Sequence, residues 1–378
     1  MRYRAFPKIP ALDISTLGFG AMRLPVKDGD PSRIDEEAAT GLIHDAIRAG
    51  VNYIDTGWVY HGGQCEPFLG RALRGGWRER VQLATKCPVW EIANEADFER
   101  IVDQQLARLE TDRIDFYLLH ALAAERWDHV KRLAGMKALE RTRADGRIGH
   151  LGFSFHGPLD DFKKIVVEYD WEFTQIQLNY LDQVFQAGLE GLRYAAARRI
   201  GVVVMEPLRG GALAVAPPSV RKILSRSGHT WAPAEWALRW AWTLPEVVTV
   251  LSGMGNSTQL AENAAAAVAA APLGPDDLTH LEEVRDFYRA RMAVPCTTCG
   301  YCQPCPSGVA IADVFNAWNS GRMFEHQAGA AWRYRKFQLD AGSGADKCQE
   351  CGDCEPRCPQ QIAISEKLQA AHAYLTAA

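Results

Sequence analysis

From about residue 15 to 271, short apolar runs rich in β-branched residues alternate with amphipathic stretches of helical period. That alternation is the signature of repeated βα units. Eight runs read as strands, at residues 16–20, 51–56, 81–87, 115–121, 149–155, 173–180, 201–208 and 247–253. Between them the period predicts helices over 35–49, 95–109 and 183–199, opened by the capping-type residues Asp35, Asn94 and Asp182. Strands this apolar, each followed by a helix, call for a parallel sheet covered on its outside. Eight such units favour a closed (β/α)8 TIM barrel of the α/β class over an open doubly wound sheet, and no GxGxxG follows the first strand. After Pro272 the pattern changes to helices at 275–292 and 309–319 set around two cysteine groups. The boundary is therefore expected near Ala290, with a barrel over 1–289 and a small second domain over 290–378.

Composition narrows the class. A length of 378 residues accommodates one barrel of about 250 residues or more with a smaller attachment. The net charge of -4, with no long basic block, gives no electrostatic reason to expect nucleic acid or an anionic membrane as partner. No segment approaches the roughly 20 apolar residues of a membrane helix. The opening MRYRAFPKIPALDIS lacks the apolar stretch of a signal peptide, so a cytoplasmic location is expected.

Eight of the ten cysteines follow residue 295, in two tight groups, whereas Cys65 and Cys87 stand apart and read as packed, unreactive thiols. Clustering of this kind points to metal rather than to a disulfide framework. Cys348, Cys351, Cys354 and Cys358 are spaced C-x2-C-x2-C-x3-C-P, the bacterial ferredoxin pattern for 4Fe-4S clusters. Cys296, Cys299, Cys302 and Cys305 depart from it by one residue before the last cysteine. By the crossed rule, one cluster takes Cys296, Cys299, Cys302 and Cys358, and the other Cys348, Cys351, Cys354 and Cys305. A pair of four-cysteine zinc sites is the alternative chemistry.

In a barrel of this kind chemistry sits at the C-terminal ends of the strands. The second candidate strand ends at Asp55-Thr56 and is followed by Tyr60; the third ends at Lys86 and the fourth at His120. Four ionisable residues on three consecutive strands converge on one point, which favours a catalytic role over a structural ion pair. The segments VNYIDTGWVYHGG, LATKCP and DFYLLH resemble the aldo/keto reductase superfamily, whose catalytic tetrad is Asp, Tyr, Lys and His in this order. The resemblance extends over about residues 12 to 271, and the tail CTTCGYCQPCPSGV resembles the iron–sulfur branch of that superfamily, with a ferredoxin-like domain binding two 4Fe-4S clusters.

The resemblance implies carbonyl reduction by hydride from NAD(P)H. Tyr60 would be the general acid, Lys86 would lower its pKa, Asp55 would neutralise the lysine and His120 would orient the carbonyl. It also implies that Ser154 and Gln175 hold the nicotinamide carboxamide, that Leu208, Gly210 and Leu213 follow the pyrophosphate, and that Glu262 and Asn263 contact adenine. Three departures stand out. Phe155 replaces the asparagine after the serine, Met205 replaces the aromatic that covers the nicotinamide, and Gly253 and Gln259 stand where the family has the lysine and arginine that clamp the 2′-phosphate of NADPH. Trp58, His61, Trp90 and His156 lie near the same rim, either as pocket walls or as loop packing, and Arg23, just after the first strand, reads as a solvated residue, with contact to an anionic substrate as the alternative.

Three functions remain open at this level. The first is an oxidoreductase acting on a small carbonyl or alcohol, with clusters for electron transfer or stability. The second is a ferredoxin-linked enzyme taking electrons singly from a ferredoxin or other electron-transfer protein, with nicotinamide secondary or absent. The third is a dinucleotide-binding redox-sensing subunit without turnover, which has no need of all four tetrad residues.

Overall fold

A computed structural model describes residues 1–269, 271–296, 302–358 and 360–377. The chain divides into two compact units, one formed by Met1–Ala214 and Trp231–Leu273, the other by Val215–Thr230 and Gly274–Ala378. The helix Pro275–Ala290 thus groups with the second unit by packing, which follows the change of pattern after Pro272 and lies ahead of the boundary expected near Ala290.

In the first unit a hairpin of β1 (Tyr3–Phe6) and β2 (Ile9–Ser15) precedes eight strands. These are β3 (Leu17–Gly20), β4 (Tyr53–Asp55), β5 (Gln82–Cys87), β6 (Ile114–Leu122), β7 (Ile148–Phe155), β8 (Phe173–Gln177), β9 (Gly201–Met205) and β10 (Val247–Ser252). Among the described residues β3 to β10 pair in parallel, in chain order, and β10 returns to β3 to close the barrel. All eight expected strands are present, several trimmed at their ends. The helices cover the outside as the apolar stripes require. In Glu36–Arg48 the buried positions are Ala39, Leu42, Ile43, Ala46 and Ile47, a helical repeat, and Asp35 caps the start by accepting from the Ala38 amide.

Two local expectations fail. Asp182 caps no helix, because the chain turns through left-handed Gln186 and Gly188 and the helix begins only there, as Gly188–Ala196. Asp182 is instead held by Arg209 and by the side-chain amide of Asn179. The hairpin was not expected, since Pro7 and Pro10 break the strand pattern. It plugs the N-terminal end of the barrel: Phe6 lies 5.2 Å from Phe116 and 5.7 Å from Phe173, ring centroid to ring centroid, and is fully buried. A Cβ on Gly201 would come within 2.1 Å of the Phe6 ring, so the plug needs a glycine at the start of β9.

The second unit packs helices Ile311–Met323, Gln327–Tyr334 and Ile364–Thr376 around Val314, Phe315, Tyr334 and Leu368. Cys296, Cys302, Cys305, Cys348, Cys354 and Cys358 lie against this one small core. Among the described residues no helix is long and apolar enough to cross a membrane.

Phe6→Ala should lower stability by about 3–5 kcal/mol, as expected for emptying a filled aromatic site. Gly201→Val should destabilise by about 1–3 kcal/mol through overpacking against the same ring. Urea midpoints at constant m-value check both, and wild-type stability in either variant would remove the plug as a structural element.

Candidate active site

Strands β4, β5 and β6 are neighbours, and their register carries Asp55, Lys86 and His120 to the same end of the barrel. Lys86 is only 1% exposed and Asp55 3%. An ammonium buried so deeply needs partners for its protons. Lys86 Nζ donates to both carboxylate oxygens of Asp55 at 2.7 Å, to the Thr56 carbonyl, and to the Tyr60 hydroxyl at 3.1 Å. Burial alone would lower the Lys86 pKa, but Asp55 and Tyr60 outweigh it and hold the ammonium above its usual value. Burial pushes the Asp55 carboxyl up, against the pull of Lys86.

Tyr60 departs from expectation. Burial raises its pKa above 10, and the opposing pull of Lys86 is partly cancelled by Asp55, so the phenol is not brought down toward neutrality. It stands protonated, which suits a proton donor. The Tyr60 and His120 rings meet edge to face at 6.2 Å. Burial first, then the charges of Lys86, His156 and Arg126, lower the His120 pKa to about 3, leaving a neutral imidazole whose Nδ1 has no partner.

Beneath Lys86 lies a buried polar network that the sequence reading missed. Gln105 donates to the Lys86 carbonyl at 3.1 Å and to Glu66 at 2.6 Å; Glu66 also accepts from Thr85 at 2.6 Å and pairs with Arg108. Its trace in the sequence is Gln105 itself, a polar residue within the buried stripe Phe98, Ile101, Val102 and Leu109. Arg108 in turn stacks on Trp58, 3.5 Å from the ring centroid. His61 turns Nδ1 to the Pro31 carbonyl and leaves its buried Nε2 without a partner. Trp90 lies beside His120, 5.1 Å between centroids. Cys65 and Cys87 are buried, and burial pushes each thiol up to about 12, so neither is a nucleophile.

The residues expected to meet a dinucleotide occupy β7 to β9, the loop after β9 and the helix Ser257–Ala269 that follows β10. Ser154 accepts from the Ala121 amide at 2.7 Å and so fixes the left-handed residue that follows His120. Gln175 is buried, turns Nε2 to the Met205 sulfur at 3.6 Å and leaves Oε1 without a partner. An orphaned amide oxygen beside the Lys86–Asp55 pair fits a carboxamide donor. After β9 the chain passes Leu208, left-handed Gly210 and buried Leu213, whose amide returns to the Leu208 carbonyl at 3.0 Å. Asn263 is buried on the Ser252 hydroxyl at 3.1 Å, Glu262 is exposed, and Gln259 accepts from the Gly255 amide. Gln259 therefore closes its own turn. Arg23 lies against these loops: a Cβ on Gly253 would meet its Cγ at 2.8 Å, and one on Gly210 its guanidinium at 3.5 Å.

In the second unit the thiols form no disulfide, and Cys299 lies outside the described residues. Among the described residues no three His, Cys, Asp or Glu side chains are gathered closely enough to hold one metal ion. The donor set, thiols against a shared apolar core, suits iron–sulfur ligation. Burial raises the Cys354 thiol to about 11, with Glu355, Cys305 and Cys351 adding to the effect.

Comparison with known proteins agrees with this layout. Residues 16–286 match the aldo/keto reductase family and residues 295–363 a 4Fe-4S dicluster domain. An L-galactose dehydrogenase of Arabidopsis thaliana is 27% identical over 293 residues, covering 72% of this chain and 90% of its own. The oxidoreductase YqkF of Bacillus subtilis is 27% identical over 286 residues, 68% of this chain and 88% of its own. The aldo-keto reductase AKR11C1 of Bacillus halodurans, in its holo form, superposes with a TM-score of 0.63 at 27% identity, covering 75% of this chain and 96% of that one. With a closed barrel bearing the reductase match and a ferredoxin-like 4Fe-4S domain behind it, the chain belongs to the aldo/keto reductase family, in its iron–sulfur branch.

Proposed function

We propose that this oxidoreductase reduces an aldehyde or ketone to an alcohol, or runs the reverse reaction, with residues 1–289 carrying the chemistry and 290–378 two 4Fe-4S clusters. The observation that carries the reading is the Lys86 ammonium shared between the Asp55 carboxylate and the Tyr60 hydroxyl, with neutral His120 facing the phenol. The family matches, ending at residue 286 and resuming at 295, support the division near Ala290.

A bound reduced nicotinamide dinucleotide supplies the hydride. Tyr60 donates its proton to the oxygen of the carbonyl as negative charge develops there. Lys86 stabilises the phenolate that remains, and Asp55 keeps the ammonium charged and fixed. His120, uncharged, orients the same oxygen through a ring nitrogen. Gln175 and Ser154 would hold the carboxamide, and Met205 would cover the nicotinamide. Leu208, Gly210 and Leu213 border the pyrophosphate, with Gln259, Glu262 and Asn263 near the adenosine end. Cys296, Cys299, Cys302 and Cys358 would hold one cluster, and Cys348, Cys351, Cys354 and Cys305 the other.

Tyr60→Phe should cut carbonyl reduction by about 10²- to 10⁴-fold, the usual worth of a general acid, while nucleotide binding persists. Steady-state rates and fluorescence titration separate the two, and an active Tyr60→Phe enzyme would sink the assignment. Because burial raises the Tyr60 pKa and leaves His120 with one of about 3, kcat/KM for reduction should stay flat between pH 6 and 9 and fall only above 10. A limb centred near pH 6.5 would contradict that. No Lys or Arg occurs from Ser252 to Asn263, and Arg23 directs its guanidinium toward Gly210. NADH should therefore bind as tightly as NADPH or more so; a strong preference for NADPH in a binding titration would overturn this expectation.

A further inference from the structure

The rim around His120 carries one cation that the reduction itself does not use. Arg126 lies in the first turn of helix Ala124–Arg132, which starts directly after β6 with no side-chain cap. Its Nη1 donates to the Ala121 carbonyl at 2.7 Å, and its guanidinium stands 5.5 Å from the centre of the Trp90 ring. Trp90 in turn borders His120. Arg126 is exposed and makes no ion pair among the described residues. The other charge near His120, that of Lys86, is already neutralised by Asp55. On the neighbouring strand end, His156 is accompanied by Gln186, whose buried Oε1 has no partner.

Arg126 thus has its position set by a carbonyl and an indole, while part of its donor fork is unused. A guanidinium held this way matches a planar carboxylate, which accepts two parallel N–H bonds. The uncapped first turn of the helix adds amide donors of the same sign, with the exposed Glu125 as the one opposing charge in that turn. A carbonyl placed against Tyr60 and His120 would leave the remainder of a short molecule running past Trp90 toward Arg126.

We propose that the substrate is a short oxo acid, whose carboxylate is held by Arg126 while its carbonyl meets Tyr60 and His120. This rests on the reductase reading given above. Arg126 is then a specificity-determining residue, acting on a part of the substrate that does not react.

The test compares 4-oxobutanoate with butanal, which has the same chain length without the carboxylate, on the cluster-loaded full chain. Wild type should favour the oxo acid in kcat/KM by about ten- to a hundredfold, the range of a charge-assisted bond. Arg126→Gln should bring the ratio close to one, with the loss falling on KM more than on kcat, and Arg126→Lys should restore part of it. Calorimetric titration with succinate, which cannot be reduced, gives a readout independent of turnover: it should bind wild type and not Arg126→Gln. Equal use of the two aldehydes by wild type, or a ratio unmoved by Arg126→Gln, overturns the proposal and leaves the reductase reading standing. Succinate binding that depends on Arg126, with neither aldehyde reduced, upholds the carboxylate site and overturns the reductase reading. Absence of both binding and turnover removes both.

Discussion

The site depends on keeping one ammonium charged where water does not reach it. Lys86 is buried at the end of a barrel strand, and a bare charge there would be prohibitively costly. The cost is offset because barrel closure fixes β4 beside β5, so that Asp55 arrives with both oxygens in reach while Thr56 and Tyr60 take the remaining protons. Removing Asp55 would leave the ammonium buried without its counter-charge. The network of Gln105, Glu66 and Thr85 below the lysine extends the constraint, since it binds the Lys86 carbonyl and so holds the strand from the other side.

Much of this was legible in the chain. The eight strands were readable because each is a short apolar run between polar stretches, and the tetrad because an ionisable residue ends such a run three times in succession. The hairpin was not, because its prolines disguise strands that pair with only one neighbour and whose purpose, to bury Phe6 in the barrel floor, is set by residues over 100 positions away. The late start of the helix after β8 was hidden for a different reason: the left-handed turn at Gln186 carries no glycine at that position to announce it. The Tyr60 pKa was misjudged because motif spacing gives the neighbouring charges but not the depth of burial that opposes them. Arg126 showed no signal, since an arginine in a first helical turn is ordinary until Trp90 and Ala121 are seen around it.

The two units imply two electron currencies. Hydride moves a pair of electrons with a proton's worth of nucleus, whereas a 4Fe-4S cluster changes charge by one. In the proposed reduction Asp55, Tyr60, Lys86 and His120 manage a proton and polarise a carbonyl, and none of them carries single electrons. The proposed hydride chemistry calls on no thiol, whereas the match to a 4Fe-4S dicluster domain adds a one-electron group to the same chain.

The pairing of β3 with β10 has a consequence for the life of the chain before it is folded. Leu17 finds its partner in Val250, so the sheet has two open edges until almost the whole barrel segment has left the ribosome. The stretch Val215–Thr230, synthesised before β10, belongs by its packing to a unit whose other residues come only after 273. A nascent chain must therefore carry one unpaired segment past the moment at which the barrel can first close, and that segment waits for helices and thiols still to be made.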